Sequence, residues 1–358
     1  MSNEEQYKFV RGIGSDEELE KYRECFSKNG TEKSVELLKW FHKKNLPGAQ
    51  SIYYAIDKST NEIAAIYTYL PVLLKCMDEV VVSMQSFDTL TDQKHRSKRL
   101  FIKLASKLEE EERKNNTALV YGFPNENSVH GFVNKLGFIY FGEVPFLIKP
   151  LRFSYIFRKI FKKATSHIVE EINCTVDAPK EVLLENNSSI KWISSFDEDY
   201  ENLWQEVSKK INIGVNRNAA YMNWRYFDKP GEDYQRYGFY ENGKLEGVVI
   251  FTLKNKHDGK IGYLMEILFS PGNEVVGKKL LQFCSDVLKK NKADVILAWC
   301  FRHSFNYFCH RQTGFYKFPE KLRPQKLGMI AKTLNSRRSD DIYNVKNWYF
   351  SYSDSDTV

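Results

Sequence analysis

The run from Val80 to Phe138 constrains this chain more than any other stretch. Val80–Val82 open an apolar, β-branched segment suited to a buried strand. A turn follows that carries Lys94, His95, Arg96, Lys98 and Arg99. Leu100, Phe101, Leu104 and Leu108 then recur at helical spacing with charge on the other face. A strand therefore feeds a basic turn that becomes the first turn of a helix. Backbone N–H groups and the positive end of the helix dipole point out of such a turn, and anions bind there. Thr117–Phe123 reads as a second strand. Val129, Phe132, Val133 and Leu136 form a second helical stripe, closed by Gly137 where a C-cap glycine belongs. A solvated basic helix start with no ligand is the plainer reading of the same turn.

A length of 358 residues predicts two domains rather than one. The net charge of +7 permits an anionic ligand without demanding nucleic acid, so small-molecule substrates are expected. Cys25, Cys76, Cys174, Cys284, Cys300 and Cys309 have neither CxxC nor zinc-ligand spacing, so no metal is expected and the thiols read as reduced. The acidic first residues lack the apolar core of a signal peptide, and no uncharged run approaches membrane-spanning length. These features predict a cytoplasmic monomer or homodimer with no stable membrane insertion.

In chain order, helices are expected at Glu17–Phe26 and Ser34–His42 and strands at Ser51–Ile56 and Ile63–Leu70, with Phe138–Ile148 as the closing strand of a first domain, 1–150. Lys149–Lys163 alternates apolar and basic residues. It reads as a linker helix, or as a membrane-surface helix, within a linker 151–187 that contains Pro179. The second domain, 188–358, repeats the punctuation of the first. A hairpin surrounds Glu241-Asn242-Gly243, Gly262–Phe269 reads as a strand, and Val276, Leu280, Cys284, Val287 and Leu288 form a stripe. Leu90 to Gly137 spans 47 positions and Phe269 to Gly314 spans 45, which argues for an internal duplication. Charge breaks the symmetry, because the second turn carries Glu274 and gains lysines only at Lys278 and Lys279.

The order strand, basic turn, helix, strand, asparagine-led helix resembles the CoA-binding half of the GNAT acyltransferases. Arg96-Ser97-Lys98-Arg99-Leu100-Phe101 occupies the place of the family's Arg/Gln-x-x-Gly-x-Gly/Ala diphosphate loop, with Arg99 and Phe101 where the family has small residues. Pro124-Asn125 through Gly137-Phe138 resembles the second family signature. The resemblance implies an α/β (α+β) fold of two tandem GNAT domains, each a mixed, mostly antiparallel sheet flanked by helices. It also implies acyl-CoA as cosubstrate. Leu90, Thr91, Arg96, Ser97, Lys98, Arg99, Leu100, Asn125 and Asn127 would line its site in the N-terminal half, and the C-terminal half would hold the acceptor. Arg217, Tyr221, Trp224, Arg225 and Tyr226 look like the Arg-x-x-x-Tyr-Leu-x-Trp-Arg-Tyr segment of tandem GNAT proteins from bacterial polysaccharide loci, and the tail with Asn347-Trp348-Tyr349 and Asp354-Ser355-Asp356 looks like the end of the same proteins. That resemblance implies an N-acyltransferase moving an acetyl or 3-hydroxybutanoyl group to a dTDP-linked amino-dideoxysugar for O-antigen or capsule synthesis. Aromatic faces suit a base and guanidinium groups suit a diphosphate. Core packing and a structural ion pair explain the same segment equally. A tandem-GNAT aminoacyltransferase of cell-wall precursors and a degenerate non-catalytic binding protein are the competing readings.

No Ser–His–Asp set and no GxSxG elbow is present, so an amine is expected to attack the thioester directly. Asp88, at the end of the strand, is the first candidate base. Gln85 lies an odd number of positions away and shares its face only if a bulge intervenes. His130 is a further candidate. A bulge near Leu90–Thr91 is expected to present a backbone N–H to the oxyanion. Val133 stands where many family members place a general-acid tyrosine.

Overall fold

A computed structural model describes residues 3–48, 51–152, 155, 172–256, 258–320, 323, 326–337 and 339–354. Most of the expected basic helix Lys149–Lys163, and Ser355-Asp356 of the tail, lie outside the described residues. The chain divides into two units. One comprises Met1–Val144, Asp228–Pro230 and Lys326–Asn347; the other comprises Pro145–Phe227, Gly231–Gln325 and Trp348–Val358.

The first unit contains strands β1 (Tyr7–Arg11), β2 (Ser51–Asp57), β3 (Ile63–Cys76), β4 (Glu79–Thr91), β5 (Leu119–Gly122) and β6 (Ile139–Glu143). Its helices include α1 (Asn3–Gln6), α2 (Asp16–Lys28), α3 (Val35–Lys43), α4 (Leu100–Lys114) and α5 (Glu126–Leu136). The sheet runs β1, β2, β3, β4, β5, the late strand Gly328–Thr333, then β6. Along this path β4 and β5 are parallel, as a helical crossover through α4 requires, and the other neighbours are antiparallel. Alternating side chains feed two cores. Tyr67, Tyr69, Met84 and Val120 pack with Leu100, Leu104 and Leu108 of α4 and Phe132 and Leu136 of α5. On the other face, Ile52, Tyr54 and Ile66 pack with Leu19, Tyr22 and Phe26 of α2 and Leu38 of α3. Ser15 and Ser34 cap α2 and α3 by accepting from Glu18 N and Leu37 N, so both helices begin where the polar residue precedes the stripe.

The second unit repeats this plan. Gln235–Glu241, Lys244–Lys256 and Gly259–Phe269 run antiparallel; Val295–Trp299 then lies parallel to Gly259–Phe269 after the crossover helix Glu274–Lys290. Both sheets are mixed and mostly antiparallel, as expected.

The domain boundaries are corrected at two strands. The expected closing strand Phe138–Ile148 is two strands. Ile139–Glu143 pairs with Gly328–Thr333 in the first sheet, whereas Phe146–Pro150 pairs with Val295–Trp299 in the second. Pro145 separates them; it has no N–H to continue a ladder, and its carbonyl accepts from Cys300 N at 3.0 Å. Conversely, Gly328–Thr333, 185 residues after Glu143 by subtraction (328 − 143), completes the first sheet between β5 and β6. Each half thus lends a strand to the other's sheet. Strand pairing is non-local, and the apolar alternation of a strand does not name its partner.

Candidate active site

The site is built where β4 and β5 part. Their parallel pairing covers Met84–Val120, Gln85–Tyr121 and Ser86–Gly122, and ends there. Two residues later β4 bulges. Ile66 pairs with Leu90 and Thr68 with Phe87, so Asp88 and Thr89 together oppose Tyr67. Asp88 carries the irregularity with φ of 46°. Thr68 pins it, its hydroxyl donating to the Phe87 carbonyl at 2.6 Å. The bulge falls earlier than expected, since Leu90 and Thr91 lie beyond it and pair regularly with Ile66 and Ala65. It also supplies the parity change. Gln85 and Phe87 alternate onto the α2–α3 face, where Phe87 meets Phe41 at 4.9 Å between ring centroids, and the bulge turns Asp88 to that face too.

The basic turn leads into α4. Asp92 accepts from Lys94 N at 2.9 Å and from Asn29 Nδ2 at 3.1 Å, which ties the start of the turn to the end of α2. His95 points away from the turn to Tyr7. Arg96, Ser97, Lys98 and Arg99 are exposed. Arg96 and Arg99 make no ion pair with a described residue. Ser97 and Arg99 are left-handed, with φ of 71° and 57°. Arg99 therefore adopts the backbone conformation that glycine favours, while adding a guanidinium at the helix start. It is the N-cap of α4 and offers no side-chain cap, whereas Asn125 caps α5 by accepting from Asn127 N and Ser128 N. The first amides of α4 are thus left for an anion. Phe101 is accommodated by Gly131, where an added Cβ would lie 3.1 Å from the ring.

The acid–base candidates differ in setting. Asp88 is engaged at both oxygens, by Lys33 Nζ at 2.8 Å and by the Tyr22 hydroxyl at 2.9 Å. Gln85 is buried and accepts from the Tyr121 hydroxyl at 3.5 Å. His130 is exposed on α5, Asn127 is exposed beside it, and Asn125 spends its side-chain oxygen on the cap. Sequence reasoning missed Tyr22, Lys33 and His42, which surround Asp88. His42 is 5% exposed, its Nε2 finds no hydrogen-bond partner among the described residues, and burial pushes its pKa down to about 4 against the opposing pull of Asp88. No local pattern marks these residues, because α2 and α3 bring them to β4 only through tertiary packing. Among the described residues no His, Cys, Asp and Glu group is placed to hold a metal, and no helix is long and apolar enough to cross a membrane.

The aromatic–arginine segment is corrected. Arg217 is fully buried, paired with Glu266 at 2.6 Å and with Asp354 at 2.5 Å. Burial works against its charge, and Asp354 and Glu266 outweigh that cost. Arg225 Nε donates to the Ser353 carbonyl at 3.1 Å, Tyr226 bonds the Ser353 hydroxyl, and the Tyr221 hydroxyl reaches the same carbonyl at 3.4 Å. Trp224 is buried. These groups hold the tail Ser351–Asp354 inside the second unit; Arg217, Trp224, Arg225 and Tyr226 are buried and Tyr221 is half-buried. The tail lies where the second unit's parallel strands part. There Tyr352 packs on Tyr263 and Trp299, with centroids 5.4 and 4.8 Å apart, and Ser353 Oγ donates to the Met265 carbonyl at 3.2 Å. Met265 is the bulge residue of that strand, because Ile250 pairs with Glu266 and Phe251 with Leu264. The second unit therefore fills its own cleft.

The structure is similar to the N-myristoyltransferase of Saccharomyces cerevisiae with bound myristoyl-CoA, at TM-score 0.62 and 14% identity over 92% of this chain and 86% of that one. It is also similar to a probable N-acyltransferase from Enterococcus faecalis V583, at TM-score 0.59 and 13% identity over 92% and 72% of the two chains. A GCN5-related N-acetyltransferase from Anabaena variabilis ATCC 29413 gives TM-score 0.59 and 12% identity over 92% and 73%. No protein-family model and no curated protein matches the sequence. Two mixed sheets flanked by helices, each with one parallel pair that parts beside a bulge, give this chain the tandem GNAT-like fold of these N-acyltransferase structures.

Proposed function

We propose that the chain is a CoA-dependent N-acyltransferase whose first unit holds the acyl donor. The observation that carries this reading is the exposed turn Arg96–Arg99, left-handed at Ser97 and Arg99, at the uncapped start of α4 beside the parting of β4 and β5. The myristoyl-CoA bound in a yeast relative of the same fold supports an acyl-CoA donor. The filled cleft of the second unit favours the first unit as its site.

In this scheme the acceptor amine attacks the thioester carbonyl carbon. The C–N bond forms, the C–S bond breaks, and CoA leaves as a thiolate that takes up a proton. Alignment of amine and thioester supplies most of the rate, and a backbone donor at the Asp88–Thr89 bulge steadies the oxyanion. Asp88 receives the acceptor ammonium in exchange for Lys33 and takes its proton. The acceptor is the amino group of a dTDP-linked amino-dideoxysugar, and the acyl group is acetyl or 3-hydroxybutanoyl, made for O-antigen or capsule. The likeness of the Arg217–Tyr226 segment to polysaccharide-locus proteins supports that acceptor. The segment acts as framework, so acceptor contacts come from other residues.

Thiol release from acetyl-CoA tests the reading. Release that requires a dTDP-amino-dideoxysugar supports it. Release as fast with the free amino sugar removes the nucleotide part, and no acceptor-dependent release with either sugar removes the sugar. Asp88→Asn should abolish transfer while Lys33→Met retains it.

A further inference from the structure

We propose that Tyr7 and His95 form a clamp that positions the diphosphate-binding turn, an inference that rests on the acyl-CoA reading above. His95 Nδ1 lies 2.9 Å from the Tyr7 hydroxyl, with the two rings edge to face at 5.6 Å and 81°. Asp57 Oδ2 stands 3.8 Å from the same nitrogen. Tyr7 is 2% exposed on β1, and its Cα partner across the ladder is Asp57 at the end of β2. Asp57 is itself fixed, accepting from Ser59 N at 2.8 Å and Ser59 Oγ at 2.6 Å. Burial and Asp57 both raise the Tyr7 pKa, so the hydroxyl keeps its proton in this contact. Two strands thus hold His95, while its neighbours Lys94 and Arg96 are exposed.

His95 immediately precedes Arg96, and two left-handed residues follow within four positions. An exposed turn in that conformation is costly to order, and a ligand that must order it loses affinity by that amount. A fixed His95 sets the direction in which Arg96 and the first amides of α4 point before the ligand arrives. Tyr7 and His95 do not themselves contact the diphosphate. They are positioning residues, 88 positions apart in sequence.

Titration calorimetry of the full chain with acetyl-CoA tests the clamp. Tyr7→Phe removes one oxygen and keeps the ring, and it should weaken binding about 5- to 10-fold, as should His95→Ala. His95→Asn keeps a polar atom near the Nδ1 position and should recover most of the loss. The double variant Tyr7→Phe/His95→Ala should bind no more weakly than either single one, because both break one contact. In the thiol-release assay KM for acetyl-CoA should rise with kcat retained, a split that general loosening of the fold does not produce. Wild-type binding unaltered in Tyr7→Phe overturns the clamp alone. A wild type that does not bind acetyl-CoA overturns the acyl-CoA reading, and the clamp with it.

Discussion

Phe101 on α4 lies against Gly131 on α5, so close that a Cβ on the glycine would stand 3.1 Å from the ring. The large residue in the loop motif and the small one on the facing helix are complementary. Phe101 also meets Tyr67 at 5.4 Å and Phe132 edge to face at 5.2 Å, so its ring is part of the packing between α4, α5 and the sheet. Alanine is favoured over glycine within a helix by about 1 kcal/mol. Gly131→Ala should therefore stabilise the protein in a Phe101→Ala background and do so less, or destabilise it, with Phe101 present. Urea denaturation of the four proteins should give a coupling of at least about 0.5 kcal/mol. Strict additivity would separate the two residues.

Arg99 should show opposite effects on stability and binding. A non-glycine residue in the left-handed region is strained by roughly 1 kcal/mol. Arg99→Gly should raise the unfolding free energy by about that amount. Losing the guanidinium should at the same time weaken acetyl-CoA binding, by about 1.5–3 kcal/mol for a charged hydrogen bond. A variant that is both more stable and equally tight would make Arg99 a bystander.

His42 gives a pH dependence whose sign is fixed. Its pKa falls from 6.5 in the unfolded chain to about 4 when folded. A depressed base stabilises the fold above the unfolded value, and that stability is lost as pH drops through 6.5 toward 4. Between pH 7 and pH 5 the loss attributable to His42 is on the order of 2 kcal/mol. His310, buried and also lowered to about 4, adds a similar slope. The test is thus the difference between wild type and His42→Phe, in which the His310 contribution cancels. Parallel stability curves for the two proteins would contradict the assignment.

Direct transfer predicts no acyl-enzyme. Burial pushes the Cys25 thiol up to about 12 and the Cys309 thiol up to about 11, and it raises Cys284 and Cys300 as well. None of these four is a thiolate near neutral pH. Enzyme mixed with radiolabelled acetyl-CoA alone, then denatured, should carry no label. Stable labelling of any cysteine would replace direct transfer with a two-step mechanism.

The helices and the crossover were legible because their signals are local. Ser15 and Ser34 sit before apolar stripes, the basic residues cluster in one turn, and Asn125 and Gly137 bracket α5. The exchange of Phe146–Pro150 and Gly328–Thr333 between sheets was not legible, because strand partners are chosen by the whole core. The position of the bulge was missed for a related reason. It is set by Thr68 reaching the Phe87 carbonyl from the neighbouring strand. The arginines misled in an instructive way. Arg217 and Arg225 sit among aromatics as a nucleotide site would have them, yet their partners Glu266, Asp354 and Ser353 come from 49 to 137 positions away and seal them in. His42, Lys33 and Tyr22 met Asp88 by the same kind of non-local packing.

Under the proposed function one acyl-CoA binds the first unit at the turn Arg96–Arg99. Titration of the wild-type chain with acetyl-CoA measures it most directly, repeated with Arg96→Ala and Lys278→Ala. One site per chain is expected, with a dissociation constant raised roughly tenfold or more by Arg96→Ala through loss of a charged hydrogen bond, and little change with Lys278→Ala. Two sites per chain, or a loss of binding in Lys278→Ala with Arg96→Ala unaffected, would contradict it.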